Sequence, residues 1–237
     1  MKHHVITSAD GSTSLQLEQF DEAYHSINGA FPEAQHIYID NCLEKLSSIE
    51  NLTIFDVGFG SALNAILSLA WHISRRDGSG DILYCGIEKY PIQLSEIEQF
   101  NYCDKISEYY NIPLNKLREL FIKIHHSPWE EVCEISTNFK LIKNRCDIAD
   151  LKDEFYINRM INGGLAAIFY DTFSPATQPE LWAEEIFVEI ANGTPEGSIL
   201  STYCCKGIVK ERLRKAGFNV SRVAGPPGKR HIIMAVK

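Results

Sequence analysis

The stretch from Leu52 to Ile73 limits the fold more than any other. An apolar, β-branched run ends in Asp56-Val57-Gly58-Phe59-Gly60-Ser61-Ala62 and passes directly into a helix-forming run. Strand, glycine turn and helix in that order form one unit of a parallel α/β layer. A backbone without Cβ atoms can approach a neighbour closely there, and the first helical N–H groups point into the same crevice. The turn suits a nucleotide-like ligand without specifying which one, and its third small position is Ala62.

Downstream, strand and helix patterns alternate. Asp81 to Glu88 reads as a short buried strand ending in a carboxylate. In a doubly wound sheet an acid at that place faces the crevice and takes ribose hydroxyls, although a surface pair of Glu88 with Lys89 is a competing reading. Pro91 to about Phe139 is longer than an ordinary βα connection and carries helical patterns at Ile92–Tyr110 and Leu114–Ile124, as an insertion capping the crevice would. Phe139 to Lys143 forms a third strand despite its two lysines. Asp147, just beyond it, is suited either to accept an adenine amino hydrogen or to cap its own loop.

The fourth strand, Leu165 to Tyr170, lies between Asn162-Gly163-Gly164 and Asp171-Thr172-Phe173-Ser174-Pro175. A helix over Pro179–Ile190, a strand over Ser198–Tyr203 and a helix over Lys206–Ala216 follow, the last stopping at Gly217. Phe218–Val223 and His231–Val236 flank Gly225-Pro226-Pro227-Gly228 and are expected to pair antiparallel.

The 237 residues, 45% hydrophobic and 23% charged, suit one domain over 1–237 with an N-terminal extension (1–50) and a helical insertion (91–139). No apolar run is long enough for a membrane-spanning helix, and Met1-Lys2-His3-His4 does not lead into a signal-peptide core, so the expected location is cytoplasmic. The seven cysteines are odd in number and lack a CxxC pair, which favours reduced thiols. Cys204-Cys205 reads as two small residues at a strand end. His3-His4 and His125-His126 have no second ligand cluster, and no metal is expected. The net charge of -8 excludes a protein that coats nucleic acid through its overall field. Two local basic groups remain, Lys206/Lys210/Arg212/Arg214/Lys215 and Lys229/Arg230, for which a solvated face competes with a binding surface.

Gly58, Gly60, Glu88, Asp147 and Asp171 all fall at carboxyl ends of strands, where such sheets bind ligands. A dinucleotide oxidoreductase would share the first features. The terminal strand pair and the Asp171-Thr172-Phe173-Ser174-Pro175 turn favour S-adenosylmethionine, which has no phosphate for a glycine loop to cradle. Methyl transfer is an in-line displacement, so holding a neutral amine near the methyl group is the main task. Asp171 can orient or deprotonate that amine and Phe173 can offer a π-face to the cationic centre. The competing readings are a capping aspartate and a core phenylalanine.

The segments FDVGFGSALNAI, GIEKYPIQLSEI, FYDTFSPATQPELWAEEIF, STYCCKGIVKERLRKAGFNV and GPPGKRHIIMAV, with the early FDEAYHSINGAFPEAQHIYI, together resemble one family over nearly the whole chain. It is the methyltransferase domain of the bifunctional tRNA 5-methylaminomethyl-2-thiouridine biosynthesis proteins (MnmC) and their stand-alone MnmD relatives. The resemblance implies a Rossmann-like class I S-adenosylmethionine-dependent methyltransferase: an α/β fold with a mostly parallel sheet, a C-terminal antiparallel hairpin and a helical insertion. It implies methylation of the aminomethyl group of 5-aminomethyl-(2-thio)uridine at the wobble position, with the tRNA anticodon stem-loop as partner and no membrane or metal. The family's flavin-dependent oxidase half has no counterpart in this sequence. Matching positions assign Asp56, Gly58, Phe59, Gly60, Glu88, Lys89, Asp147 and Phe173 to the cofactor, Asp171 to catalysis, and Phe173, Lys229 and Arg230 to the substrate. The family turn usually has glycine at the position of Ala62, which would narrow the cofactor's approach here. A methyltransferase acting on another RNA or a small amine, and a non-catalytic nucleoside-binding module, are the alternatives.

Overall fold

Eight strands of the described residues build one sheet in the computed structural model, which describes residues 3–17, 23–75, 80–150 and 164–237. Strands β1 (His3–Thr7) and β2 (Thr13–Leu17) form a separate antiparallel ribbon. The sheet comprises β3 (Asn51–Val57), β4 (Asp81–Ile87), β5 (Cys133–Ser136), β6 (Phe139–Asn144), β7 (Leu165–Tyr170), β8 (Ile199–Thr202), β9 (Asn219–Ala224) and β10 (His231–Val236). Its spatial order is β5-β6-β4-β3-β7-β8-β10-β9. The five strands from β6 to β8 run parallel. Strand β10 is antiparallel to both β8 and β9, as the glycine-proline turn between the last two strands predicts, and β5 adds an antiparallel edge.

β3 and β7 lie side by side at the centre, which explains their unbroken apolar sequences. Leu52 and Ile54 of β3 enter one core, whereas Phe55 and Val57 enter the other. The first core packs against α1 (Ala30–Ala34), α2 (Leu63–Ser74), α4 (Tyr102–Tyr110) and α5 (Leu114–His126); α3 (Leu94–Ile97) lies between α2 and α4 in the chain and adds Ile97 to it. The second packs against α6 (Glu184–Asn192) and α7 (Gly207–Lys215). The seven cysteines form no disulfide, and Cys204 is buried while its neighbour Cys205 is exposed.

Two expected helices are broken, each for a visible reason. The Ile92–Tyr110 pattern divides into α3 and α4 at Asn101. The Asn101 side chain accepts the Thr13 N–H at 2.9 Å and donates to the Gly11 carbonyl at 2.8 Å, tying the β1–β2 ribbon to the insertion. The Pro179–Ile190 pattern becomes a 3-10 turn, Pro179–Trp182, and then α6, with Ala183 extended between them. Arg212 takes the Trp182 carbonyl at 2.6 Å, so that oxygen serves α7 instead of a continuous helix. Asn162 and Gly163, Met1 and Lys2, and residues 20–22 of the early motif lie outside the described residues.

The lysines that make β6 read as a weak strand have different fates. Lys140 is exposed, but Lys143 is only 1% exposed. Its ammonium donates to the last carbonyls of α5, Ile124 at 3.0 Å and His125 at 2.8 Å, and lies 4.9 Å from the Trp129 ring centroid. A cation at a helix C-terminus meets the negative end of the helix dipole and satisfies carbonyls that have no helical partner. Burial lowers its pKa to about 8. Lys143→Met keeps the stem but removes the ammonium from the His125 carbonyl and leaves Ile124 with Ser127 Oγ at 2.8 Å, and should cost about 1–3 kcal/mol in urea unfolding at neutral pH. An unchanged midpoint would show that the cap contributes nothing.

Candidate active site

Where β3 ends beside β7, the glycine turn touches the chain leaving β7. Gly58 has φ +100°, and a Cβ placed on it would lie 2.4 Å from the Asp171 carbonyl oxygen. The Asp171 N–H donates to the Val57 carbonyl at 2.9 Å. Gly58 is therefore required by the protein's own backbone: it lets Asp171 sit against the turn. Gly86 works in the same way one strand over, where a Cβ would meet the Phe59 ring at 2.4 Å. The Phe59 ring is buried edge-on against Tyr84 and Trp129.

Ala62 adopts the left-handed conformation (φ 62°, ψ 20°) that glycine would take more readily. Its methyl group is fully buried in the first core and does not line the crevice. The expected narrowing at Ala62 is therefore not observed.

The crevice over the carboxyl ends of the central strands is a cavity of about 420 Å³. Of the residues singled out in the sequence, Gly58, Phe59, Gly60, Glu88, Lys89, Asp147, Asp171, Phe173 and Lys229 line it. Glu88 is fixed by N–H donors from Gly60 (3.0 Å) and Tyr90 (2.8 Å). Lys89 turns away from Glu88 and pairs with Asp147 at 2.6 Å. The other Asp147 oxygen accepts the Ala149 N–H at 2.9 Å, so the loop-capping reading also describes what this residue does.

Asp56 is placed differently. It is fully buried beneath the turn, accepts the Tyr84 hydroxyl at 2.5 Å and does not line the cavity. Burial holds its carboxyl well above the usual range, with the Tyr84 hydrogen bond pulling the other way. Lys229 and Arg230 also part company: Lys229 turns into the cavity, whereas Arg230 is exposed and lies outside its lining.

Asp171 lines the cavity beside the glycine turn. Burial pushes its carboxyl up to about 6; the Tyr38 phenol and the Asn64 amide hold it down, Glu33 raises it and Lys229 lowers it. Asn64 Nδ2 donates to Asp171 Oδ2 at 2.9 Å, and Asn64 Oδ1 is buried without a hydrogen-bond partner. The turn carrying Asp171 is braced from outside. Trp182 Nε1 donates to the Phe173 carbonyl at 2.8 Å, and the Tyr203 hydroxyl to the Thr172 carbonyl at 2.8 Å. The Phe173 ring meets Tyr24 edge-on, with centroids 5.2 Å apart. Arg212 thus supports the site through Trp182, and Lys215 pairs with Glu184 and Glu211, so two of the five basic residues at α7 have structural partners.

Sequence reasoning missed Glu33, Asn64, Tyr203 and the Tyr24-His25 pair, all of which line the cavity. The signal for Asn64 and Tyr203 was their place in the first turn of α2 and just past β8, the two ends that face such a crevice. His25 bridges Ser14 (3.0 Å) and Ser61 (3.4 Å), and burial lowers its pKa to about 4. Among the described residues, no helix is long and apolar enough to cross a membrane, and no group of three or more His, Cys, Asp or Glu is placed to hold a metal ion.

Comparisons with known proteins agree with the fold. The family described as S-adenosyl-L-methionine-dependent methyltransferase matches residues 114–237. The tRNA 5-methylaminomethyl-2-thiouridine biosynthesis bifunctional protein MnmC of Dichelobacter nodosus is 25% identical over 227 residues, which are 92% of this chain and 34% of that protein. The protein of the same name from Pseudomonas fluorescens is 26% identical over 213 residues, 87% of this chain and 30% of its own. The chain thus spans about a third of the length of these curated relatives. In fold it matches the crystal structure of MNMC2 from Aquifex aeolicus with a TM-score of 0.75 at 23% identity, covering 99% of this chain and 70% of that one. Spermidine synthase from Thermotoga maritima gives 0.51 at 12% identity, covering 99% and 68%.

The raised pKa of Asp171 has a thermodynamic consequence. Its folded value lies above the unfolded one, so the folded state holds the proton more tightly and this group's contribution to stability falls as pH rises from about 4 to about 6. Asp171→Asn removes that penalty. The variant should be more stable than the wild type by on the order of 1–2 kcal/mol at pH 8, an advantage that shrinks below pH 6 and vanishes near pH 4. Thermal unfolding across that range checks it; a pH-independent difference would contradict it.

Proposed function

The chain belongs to the S-adenosyl-L-methionine-dependent methyltransferase family, and we propose that it methylates the aminomethyl group of 5-aminomethyl-(2-thio)uridine at the wobble position of tRNA. The whole of 1–237 is read as one methyltransferase domain. The observation that carries this reading is Asp171, held in a braced turn where the cofactor crevice ends. The names of the bifunctional relatives supply the tRNA and the modified uridine.

The residues present fit the cofactor. Glu88, held in place by the backbone N–H groups of Gly60 and Tyr90, presents a carboxylate at the strand end where ribose hydroxyls would be accepted. Asp147 and Lys89 offer an acceptor and a donor beside Cys146 and Ile148, where an adenine edge would lie. The orphaned Asn64 Oδ1 offers an acceptor to the cofactor's ammonium group. Gly58, Phe59 and Gly60 form the wall between them. When bound, S-adenosylmethionine supplies a methyl group on a positively charged sulfur.

Asp171 orients the acceptor amine and accepts its proton. An ionised aspartate in water would stabilise the unreactive ammonium; at about 6, this carboxyl is a better base than an ordinary aspartate. With one proton of the substrate ammonium on Asp171, the amine nitrogen would displace the methyl group that S-adenosylmethionine supplies, giving a secondary ammonium and the neutral thioether. Phe173 closes the site with Tyr24 and excludes water from the reacting atoms.

Incubating the protein with S-adenosylmethionine and tRNA bearing 5-aminomethyl-2-thiouridine should add the mass of one methyl group to that nucleoside. Asp171→Ala should abolish turnover while keeping cofactor affinity within about tenfold, or about 1.4 kcal/mol. Turnover should weaken steeply with salt, because an RNA substrate releases counterions on binding. Salt-insensitive turnover of a free amine would favour a small-molecule acceptor, and cofactor binding without methylation of this nucleoside would overturn the substrate.

A further inference from the structure

Beside Asp171 the cavity already holds a primary alkyl ammonium, supplied by the protein itself. Lys229 Nζ lies 2.9 Å from Glu33 Oε2 and 4.4 Å from the centroid of the Tyr203 ring. Glu33, Tyr203, Asp171 and Lys229 all line the same cavity. A carboxylate on one side and an aromatic face on another form a site for an ammonium group. The site is rigid on its aromatic side, because the Tyr203 hydroxyl is tethered to the Thr172 carbonyl, next to Asp171.

Glu33 Oε2 is buried and Lys229 is its ion-pair partner at 2.9 Å, but the ammonium is poorly aligned for a hydrogen bond to it. An ammonium arriving with better alignment gains a charged hydrogen bond that Lys229 does not make. Lys229 reaches Glu33 from the turn joining β9 to β10, where Gly228 has φ +88° and the Lys229 side chain remains 29% exposed. It approaches from the solvent side of the cavity, from a turn and not from the packed sheet.

We propose that Glu33 and Tyr203 form the subsite for the acceptor's ammonium group and that Lys229 is its placeholder, displaced when substrate enters. The inference rests on the aminomethyl reading above and adds to it the residue that selects the amine. Glu33 receives the incoming ammonium, Asp171 takes its proton, and the released Lys229 becomes available to the phosphates of the arriving RNA. The placeholder offsets the charge of the partly buried Glu33 carboxylate in the free protein, which lessens the cost of preparing the subsite in advance.

The test is calorimetric titration of the full chain, loaded with S-adenosylhomocysteine, with 5-aminomethyluridine and with 5-hydroxymethyluridine, its neutral counterpart of similar size. The wild type should prefer the amine. Glu33→Gln should lose that preference by at least about tenfold, as the loss of a charged hydrogen bond implies. Lys229→Met, which keeps the stem but removes the competing charge, should bind the amine at least about fivefold more tightly and leave the hydroxymethyl analogue unchanged. Amine preference retained in Glu33→Gln, amine binding unchanged or weakened in Lys229→Met, or no amine preference in either the wild type or Lys229→Met would each overturn the proposal. Neither titration needs turnover. A wild type that methylates aminomethyl-tRNA but shows no amine preference would remove the subsite alone, whereas a wild type that prefers the amine but does not methylate that tRNA would remove the RNA substrate alone.

Discussion

The site depends on the contact between the end of β3 and the end of β7. Gly58 leaves room for the Asp171 carbonyl, and the Asp171 N–H closes the contact on Val57. Because β3 and β7 are neighbouring parallel strands, this contact places the glycine turn and the Asp171 carboxylate at one mouth. Everything else supports it: Trp182 and Tyr203 hold the carbonyls that follow, and Arg212 holds Trp182. A glycine usually credited with making room for a ligand here makes room first for the Asp171 turn.

Electrostatically, the crevice is rich in acids. Glu33, Glu88, Asp147 and Asp171 line it and Asp56 lies beneath, while Lys89 and Lys229 each pair with one acid. Such a lining suits a ligand carrying positive charge, and both the proposed cofactor and the proposed acceptor do so. Burial of Asp56 and Asp171 raises both carboxyls. The chain's net charge of -8 is thus no obstacle to an RNA-modifying role, provided RNA is contacted at basic positions such as Arg230 and Arg214, both exposed at the surface.

The sheet was largely legible in the sequence because its central strands are buried on both faces and leave unbroken apolar runs. Order along the chain then located the carboxyl ends and with them Glu88, Asp147 and Asp171. What escaped was whatever depends on a partner distant in sequence. Asn101 breaks a helical pattern because it binds the β1–β2 ribbon, and Arg212 ends another by taking the Trp182 carbonyl. The direction taken by Lys229 is set by Glu33, and neighbouring residues in the sequence give no sign of it. Asp56 beside the glycines read as part of the binding edge, yet strand alternation turns it into the interior beneath the turn.

The most direct measurement is nucleoside mass spectrometry of tRNA from cells in which the protein is deleted or replaced by its Asp171→Asn form. The account predicts that both strains accumulate the 5-aminomethyl nucleoside and lack its methylated product, although the variant folds and is present at normal level. Unchanged methylated nucleoside in the Asp171→Asn strain would contradict the role assigned to the Asp171 carboxylate that the β3–β7 contact positions. An unchanged profile in the deletion strain would contradict the substrate.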